Sequence, residues 1–161
     1  MSEVITVGIS DMKLTKGENT LVTFALGSCI GICLYEPILK IGALGHIMLP
    51  YSPNPENEKT PDKYADTCIK RTLEVLSQHN CLKTRLRAKI VGGAKMFDVK
   101  GDSAFGNIGA RNIEAVKKVL GENRIPILAE DTGLNFGRTV YFRVQNGAVE
   151  VKSFNRELKI L

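Results

Sequence analysis

The chain has no tryptophan and only two histidines, His46 and His79, among its 161 residues. Any chemistry that needs an imidazole must therefore use one of those two. No apolar run approaches the roughly 20 residues that cross a bilayer as a helix. The longest run, residues 38–49, is shorter and contains Lys40 and His46, so no membrane insertion is expected. The opening Met-Ser-Glu-Val lacks the basic stretch and apolar core of a secretory signal, which predicts a cytoplasmic protein. There the four cysteines, Cys29, Cys33, Cys68 and Cys81, are expected to be reduced thiols rather than a disulfide framework. Lys and Arg outnumber Asp and Glu by 22 to 17, a formal charge of +5. That is a mild bias toward acidic partners. The basic residues are dispersed and no run interleaves them with aromatics, so a nucleic-acid groove is not expected. Cys29, Cys33 and His46 have one metal-like spacing but no second pair to complete four ligands. Neither a metal nor an organic cofactor is expected.

Hydrophobic residues make up 43% and charged residues 24%, a composition that fits one folded domain over residues 1–161. Residues 4–9 read as a short strand, 16–19 as a turn and 20–26 as a strand rich in β-branched residues. Residues 30–35 and 41–49 are apolar runs that read as buried strands. Residues 50–61 hold four of the six prolines and read as a mobile loop. Thr60-Pro61 then resembles an N-cap followed by proline at the first helical position. Ala65, Cys68, Ile69, Thr72, Leu73 and Leu76 form one face of a helix ending near Asn80. A strand at 88–91 closes on Gly92-Gly93. A loop with Gly101, Gly106 and Gly109 leads to a helix over 110–120, with Gly121 as its stop. Strands at 125–129, 139–144 and 148–154 complete the chain, the last two joined at Asn146-Gly147, a strong hairpin signal. The fold class expected is α/β of the α+β type: a mixed, largely antiparallel sheet covered by helices.

Gly27-Ser28-Cys29-Ile30-Gly31 directly follows a strand. A turn of small residues there lifts one side chain out of the sheet and exposes the backbone N–H groups of Ser28 and Cys29, which suit an oxyanion. On those five residues alone Cys29 reads equally as a nucleophile and as a small buried hydrophobe. His46, in an otherwise apolar strand, favours the first reading. A buried imidazole needs a partner, and a neighbouring imidazolium would lower the Cys29 pKa. His79 follows a helix in polar surroundings and reads as an exposed residue near the helix C-terminus. Thr23 lies six residues before Cys29, and a regular strand would place both on one face. Thr is nevertheless a common strand residue, and nothing local singles it out. Cys33 reads as core or as a resolving thiol. Cys68 lies on the apolar helix face.

Six motifs in order resemble the chemoreceptor glutamine deamidase family, CheD. They are Leu26-Gly-Ser-Cys-Ile-Gly-Ile-Cys-Leu-Tyr, Ile41-Gly-Ala-Leu-Gly-His-Ile-Met-Leu-Pro, Lys63-Tyr-Ala-Asp, Ile90-Val-Gly-Gly-Ala-Lys-Met-Phe, Asn107-Ile-Gly-Ala-Arg-Asn and Ala129-Glu-Asp-Thr-Gly. The resemblance implies a fold similar to toxin-type cysteine deamidases. It implies Cys29 as nucleophile, His46 as base and Thr23 as the third member of the triad. It also implies deamidation of glutamines on the cytoplasmic helices of chemotaxis receptors, and docking on the CheC phosphatase. The alternative is a chain that acts mainly as a regulatory partner of CheC. Leu134 departs from the family pattern, where a second Gly is usual, and implies a different local loop geometry. The 50–61 loop, close behind His46, is expected to border a shallow groove for a receptor helix.

Overall fold

The computed structural model describes residues 2–96 and 107–161. The glycines at 101 and 106 that were expected to lead into the second helix lie outside the described residues. Among the described residues ten strands and two α-helices follow in the order β1 (Val4–Thr6), β2 (Asp11–Lys16), β3 (Thr20–Leu26), β4 (Ile30–Glu36), β5 (Ile41–Ile47), α1 (Ala65–Gln78), β6 (Arg87–Gly92), α2 (Ile108–Glu122), β7 (Ile127–Thr132), β8 (Arg138–Arg143), β9 (Ala148–Lys152) and β10 (Lys159–Ile160).

The class is α+β, as expected, but the strands form two sheets rather than one. Five strands run in the order β1-β3-β8-β9-β10 and five in the order β2-β5-β4-β6-β7. Each sheet is antiparallel apart from one parallel pair, β1 with β3 and β6 with β7. The second sheet is the middle layer. Ile30, Ile32 and Leu34 of β4 point to one side with Ile69 and Leu76 of α1 and Val116 and Leu120 of α2. Cys33 of β4 and Leu44 of β5 point to the other, against Leu21, Phe142 and Val149 of the first sheet. Strands buried on both faces read as continuous apolar runs. This explains why β4 and β5 are visible in the sequence without alternation. Gly42 lets the layers approach, since a Cβ there would lie 2.9 Å from the Phe142 ring.

Several boundaries differ from expectation for identifiable reasons. The strand expected at 4–9 stops at Thr6, because the chain turns through Ser10 (φ 57) into β2 on the other sheet. Helix α1 begins at Ala65, not behind a Thr60 cap. The N–H groups of Met48 and Leu49 both donate to the Lys63 carbonyl, so Tyr64 stays extended and bridges Leu49. Residues 61–63 form a separate turn. The left-handed residue closing α2 is Arg124 (φ 58), not Gly121, with Ile125 N–H donating to Leu120 O. Arg143 pairs with Ala148, so the Asn146-Gly147 hairpin has a four-residue turn. The loop at 50–61 is pinned rather than loose. Ser52 N–H donates to Asp66 Oδ1 at 3.0 Å, and Ser52 Oγ donates to Glu58 Oε1 at 2.6 Å.

Phe142 sits between the sheets at 1% exposure. Phe142→Ala is expected to destabilise the fold by about 3–5 kcal/mol, checked by urea unfolding. A loss under about 1 kcal/mol would mean that the layer does not close on this ring.

Candidate active site

The chain leaves the first sheet at Leu26 and enters the second at Ile30, so Gly27, Ser28 and Cys29 form the crossing between layers. Three successive carbonyls of this crossing are held. Gly27 O accepts from Ala94 N–H at 2.9 Å and Cys29 O accepts from Gly93 N–H at 2.9 Å. Ser28 O accepts from Asn112 Nδ2 at 2.9 Å. Gly92 and Gly93 make the approach possible. A Cβ on Gly92 (φ 119) would lie 2.2 Å from Cys29 O, and one on Gly93 (φ 71) would lie 2.4 Å from Ile113. The strain of this turn therefore sits in the glycines opposite it. Cys29 itself is not among the residues with positive φ. The N–H groups of Ser28 and Cys29 meet no oxygen acceptor among the described residues.

His46 lies on β5, paired with Gly31 of β4. Cys29 stands in the bend just ahead of β4 and packs against the cluster between the two sheets, the side on which His46 meets Thr23. His46 is 1% exposed and Thr23 is 1% exposed. The two meet across the layers, Thr23 Oγ1 to His46 Nδ1, at 2.7 Å. Thr23 Oγ1 also lies 2.8 Å from the carbonyl of Val7. A carbonyl can only accept, so the one hydroxyl proton goes to Val7. His46 Nδ1–H must then be the donor to Thr23. This fixes the tautomer: Nε2 carries the lone pair. Nε2 is buried and has no hydrogen-bond partner among the described residues.

The sequence argument for Thr23 does not survive, although its position does. Thr23 pairs with Val140 and Leu26 with Arg138. Three steps on β3 therefore match two on β8: a bulge at Phe24 and Ala25, with Ala25 at φ 56. Regular alternation from Thr23 to Cys29 is broken. Thr23 meets His46 because the two sheets face each other there; a Cβ on Gly31, the residue paired with His46, would crowd Leu26 at 3.1 Å.

The electrostatics also differ from the sequence expectation. Burial lowers the His46 pKa to about 4. Burial raises the Cys29 thiol above its ordinary value, against a smaller lowering by its own backbone N–H. The resting pair is thus a neutral thiol and a neutral imidazole, not thiolate and imidazolium. No hydrogen bond joins Cys29 Sγ to Nε2. Cys33 is buried and its pKa is pushed up to about 12 by burial. It is four residues from Cys29 along an extended segment, too far for a disulfide, which removes the resolving-thiol reading. Cys68 is likewise buried with a pKa pushed up to about 12. His79 is exposed and its Nδ1 meets Val75 O at 2.9 Å at the end of α1, as expected. No group of three or more metal-ligating side chains occurs among the described residues. Leu134 adopts φ 59 next to Gly133 at φ 78, so it holds without glycine a left-handed geometry that glycine adopts freely.

Sequence reasoning missed Asn112, 0% exposed on α2, whose Nδ2 donates to both Ser28 O and Met48 O at 2.9 Å. The signal was present. Asn112 falls in line with Val116 and Leu120 on the apolar face, where an amide needs a reason.

Two tests follow from the buried imidazole. The folded His46 pKa of about 4 lies below its ordinary 6.5. Between those values the unfolded chain binds a proton that the folded chain refuses, so stability is complete above pH 6.5 and falls as pH drops toward 4. Melting temperature against pH in wild type and His46→Gln checks this, with the slope in that window expected to be shallower in the variant. With His46 as the expected base, Thr23→Val strands Nδ1–H and should lower kcat by about a hundredfold, the low end of the 10²–10⁴ that a positioned base contributes. Steady-state kinetics read the change.

The family described as CheD chemotactic sensory transduction matches residues 48–153, a stretch that begins after His46. Full-length relatives extend the likeness across the crossing. The chain is 45% identical over 157 residues to a "Probable chemoreceptor glutamine deamidase CheD" of Clostridium novyi (strain NT), covering 98% of this chain and 97% of that protein. It is 43% identical over 161 residues to the protein of the same name in Syntrophomonas wolfei subsp. wolfei, covering 100% of each. It is 44% identical over 160 residues to that of Caldanaerobacter subterraneus subsp. tengcongensis, covering 99% of each. Matched along its whole length and by the family pattern, the chain belongs to the CheD family.

Proposed function

We propose that this protein is a cysteine amidohydrolase that converts specific glutamine side chains of chemotaxis receptors to glutamate, with Cys29, His46 and Thr23 as its working residues. The observation that carries this reading is the Nδ1-bonded, Nε2-free imidazole facing the side of the sheet from which Cys29 projects. The relatives' names supply the substrate: each is called a chemoreceptor glutamine deamidase.

His46 Nε2 takes the proton from Cys29 Sγ as the sulfur attacks the carboxamide carbon. The C=O pair moves onto oxygen, which meets the N–H groups of Ser28 and Cys29. The imidazolium returns its proton to the amide nitrogen, the C–N bond breaks and ammonia leaves, with a thioester on Cys29. Water, losing a proton to Nε2, attacks the thioester carbon. The sulfur leaves and is reprotonated, and glutamate is released. Each half-reaction begins and ends with a neutral pair, which matches a site whose burial disfavours charge on both groups. Thr23 accepts from Nδ1–H throughout and steadies the transient imidazolium.

A glutamine on a receptor helix must be met by an open surface. Met48 and Tyr51 are exposed behind His46, and Lys118 of α2 lies over the Tyr51 ring at 5.9 Å. On this reading the pinned 50–61 segment, which follows His46 closely in the chain, borders the receptor-binding surface, and shortening it should cost receptor deamidation. No helix of the described residues is long and apolar enough to cross a membrane, and a cytoplasmic site of action suits receptor signalling helices. Docking on CheC is carried as a second property of the same chain.

The test is mass spectrometry of receptor cytoplasmic fragments incubated with wild type and with Cys29→Ala. Wild type should convert particular glutamines with release of ammonia, and Cys29→Ala should fall to background while CheC binding persists. Deamidation that survives Cys29→Ala would overturn the assignment.

A further inference from the structure

We propose that Asn112 is a positioning residue: it aims the backbone N–H of Cys29 at the oxygen of the reacting carboxamide. The inference rests on the reading of the site just given.

Asn112 is fully buried, and its amide is used unequally. Both Nδ2 hydrogens are engaged, one by Ser28 O and one by Met48 O. Among the described residues Oδ1 is buried without a partner. The amide cannot be turned over, because Oδ1 would then face two carbonyl acceptors. A leucine at this place in the helix core would bury no orphaned oxygen, so the amide is not explained by packing of α2.

What it holds is specific. In a trans peptide unit the C=O and N–H point in opposite directions, and no cis peptide bond occurs among the described residues. Fixing Ser28 O toward α2 therefore fixes the Cys29 N–H away from α2. The neighbouring units are fixed by main chain, through Ala94 N–H on Gly27 O and Gly93 N–H on Cys29 O. The unit between Ser28 and Cys29 is the one of the three held by a side chain. Its N–H meets no oxygen acceptor among the described residues, as an oxyanion donor awaiting its ligand should. The second bond, to Met48 O, ties the same amide to the chain two residues beyond His46. One side chain on α2 thus sets the nucleophile turn against the end of the base-bearing strand.

Asn112→Asp keeps the shape but turns a donor into an acceptor before both carbonyls. Asn112→Ser removes the reach and leaves room for water. In each, two rates are measured on the folded protein: deamidation of a receptor fragment, and alkylation of Cys29 by iodoacetamide, which needs the thiol but no oxyanion donor. Deamidation should lose about ten- to a hundredfold in kcat, with KM and the alkylation rate each held within about twofold. Unchanged kcat would overturn the proposal. So would kcat and alkylation falling together, which is what a purely structural role predicts, or a change confined to KM. Should neither variant fold, wild type decides. A receptor-like peptide in which an aldehyde replaces the glutamine carboxamide adds to Cys29, Sγ bonding to carbon and the thiol proton passing to oxygen. Hydrogen exchange of the Cys29 amide should then slow, and exchange at the uncomplexed rate would overturn the proposal. Wild type that deamidates no receptor fragment would instead overturn the parent reading.

Discussion

The hydrogen bond from His46 Nδ1–H to Thr23 Oγ1 is the point on which the site depends, and it can form only because two sheets face each other. Thr23 belongs to the outer sheet and His46 to the middle one, and both are sealed from water at 1% exposure. Since Thr23 gives its own proton to Val7 O, the bond has one direction. It leaves Nε2 as a bare lone pair in an apolar setting. Such an imidazole is a poor cation, with a pKa of about 4, and under the proposed function it is the base for a thiol that is also reluctant to ionise. The chemistry this favours is concerted proton removal during attack rather than a standing ion pair.

The second constraint is the crossing itself. A chain passing between layers breaks its sheet hydrogen bonds, and buried carbonyls left without partners are costly. Here the Gly92-Gly93-Ala94 backbone and Asn112 satisfy all three carbonyls from Gly27 to Cys29. Under the proposed function the consequence is catalytic as well as stabilising. With the Ser28 carbonyl committed to Asn112 on α2, the N–H of Cys29 in the same trans peptide unit points away from α2. The two glycines with positive φ are needed because any side chain on them would collide with Cys29 O or Ile113.

Much of this was legible in the sequence. β3 has the bounds the sequence suggested, and β4 and β5 differ only at their ends, because long β-branched and apolar runs have few other uses. The strand-end turn drew attention to Cys29, and the scarcity of histidine left only His46 in an apolar setting. The division into two sheets was not legible, since pairings such as β3 with β8 join residues far apart in the chain. β2 was missed. It is a sheet edge with Lys13 and Lys16 outward, and charged edge strands carry a weak signal. The bulge at Phe24-Ala25 invalidated the parity that linked Thr23 to Cys29, so only the family resemblance pointed to Thr23. Asn112 was legible in principle, as a polar residue on an apolar helical stripe, but its partners are backbone carbonyls, which no side-chain pattern reveals.

The most direct measurement is nitrogen-15 NMR of the His46 imidazole in the folded protein between pH 7 and pH 4. The expected result is a single neutral tautomer with the proton on Nδ1 and Nε2 bare, giving way to imidazolium only near the low end of that range. A proton on Nε2 at pH 7, or titration near the ordinary 6.5, would contradict the bond to Thr23 as the source of the site's reactivity.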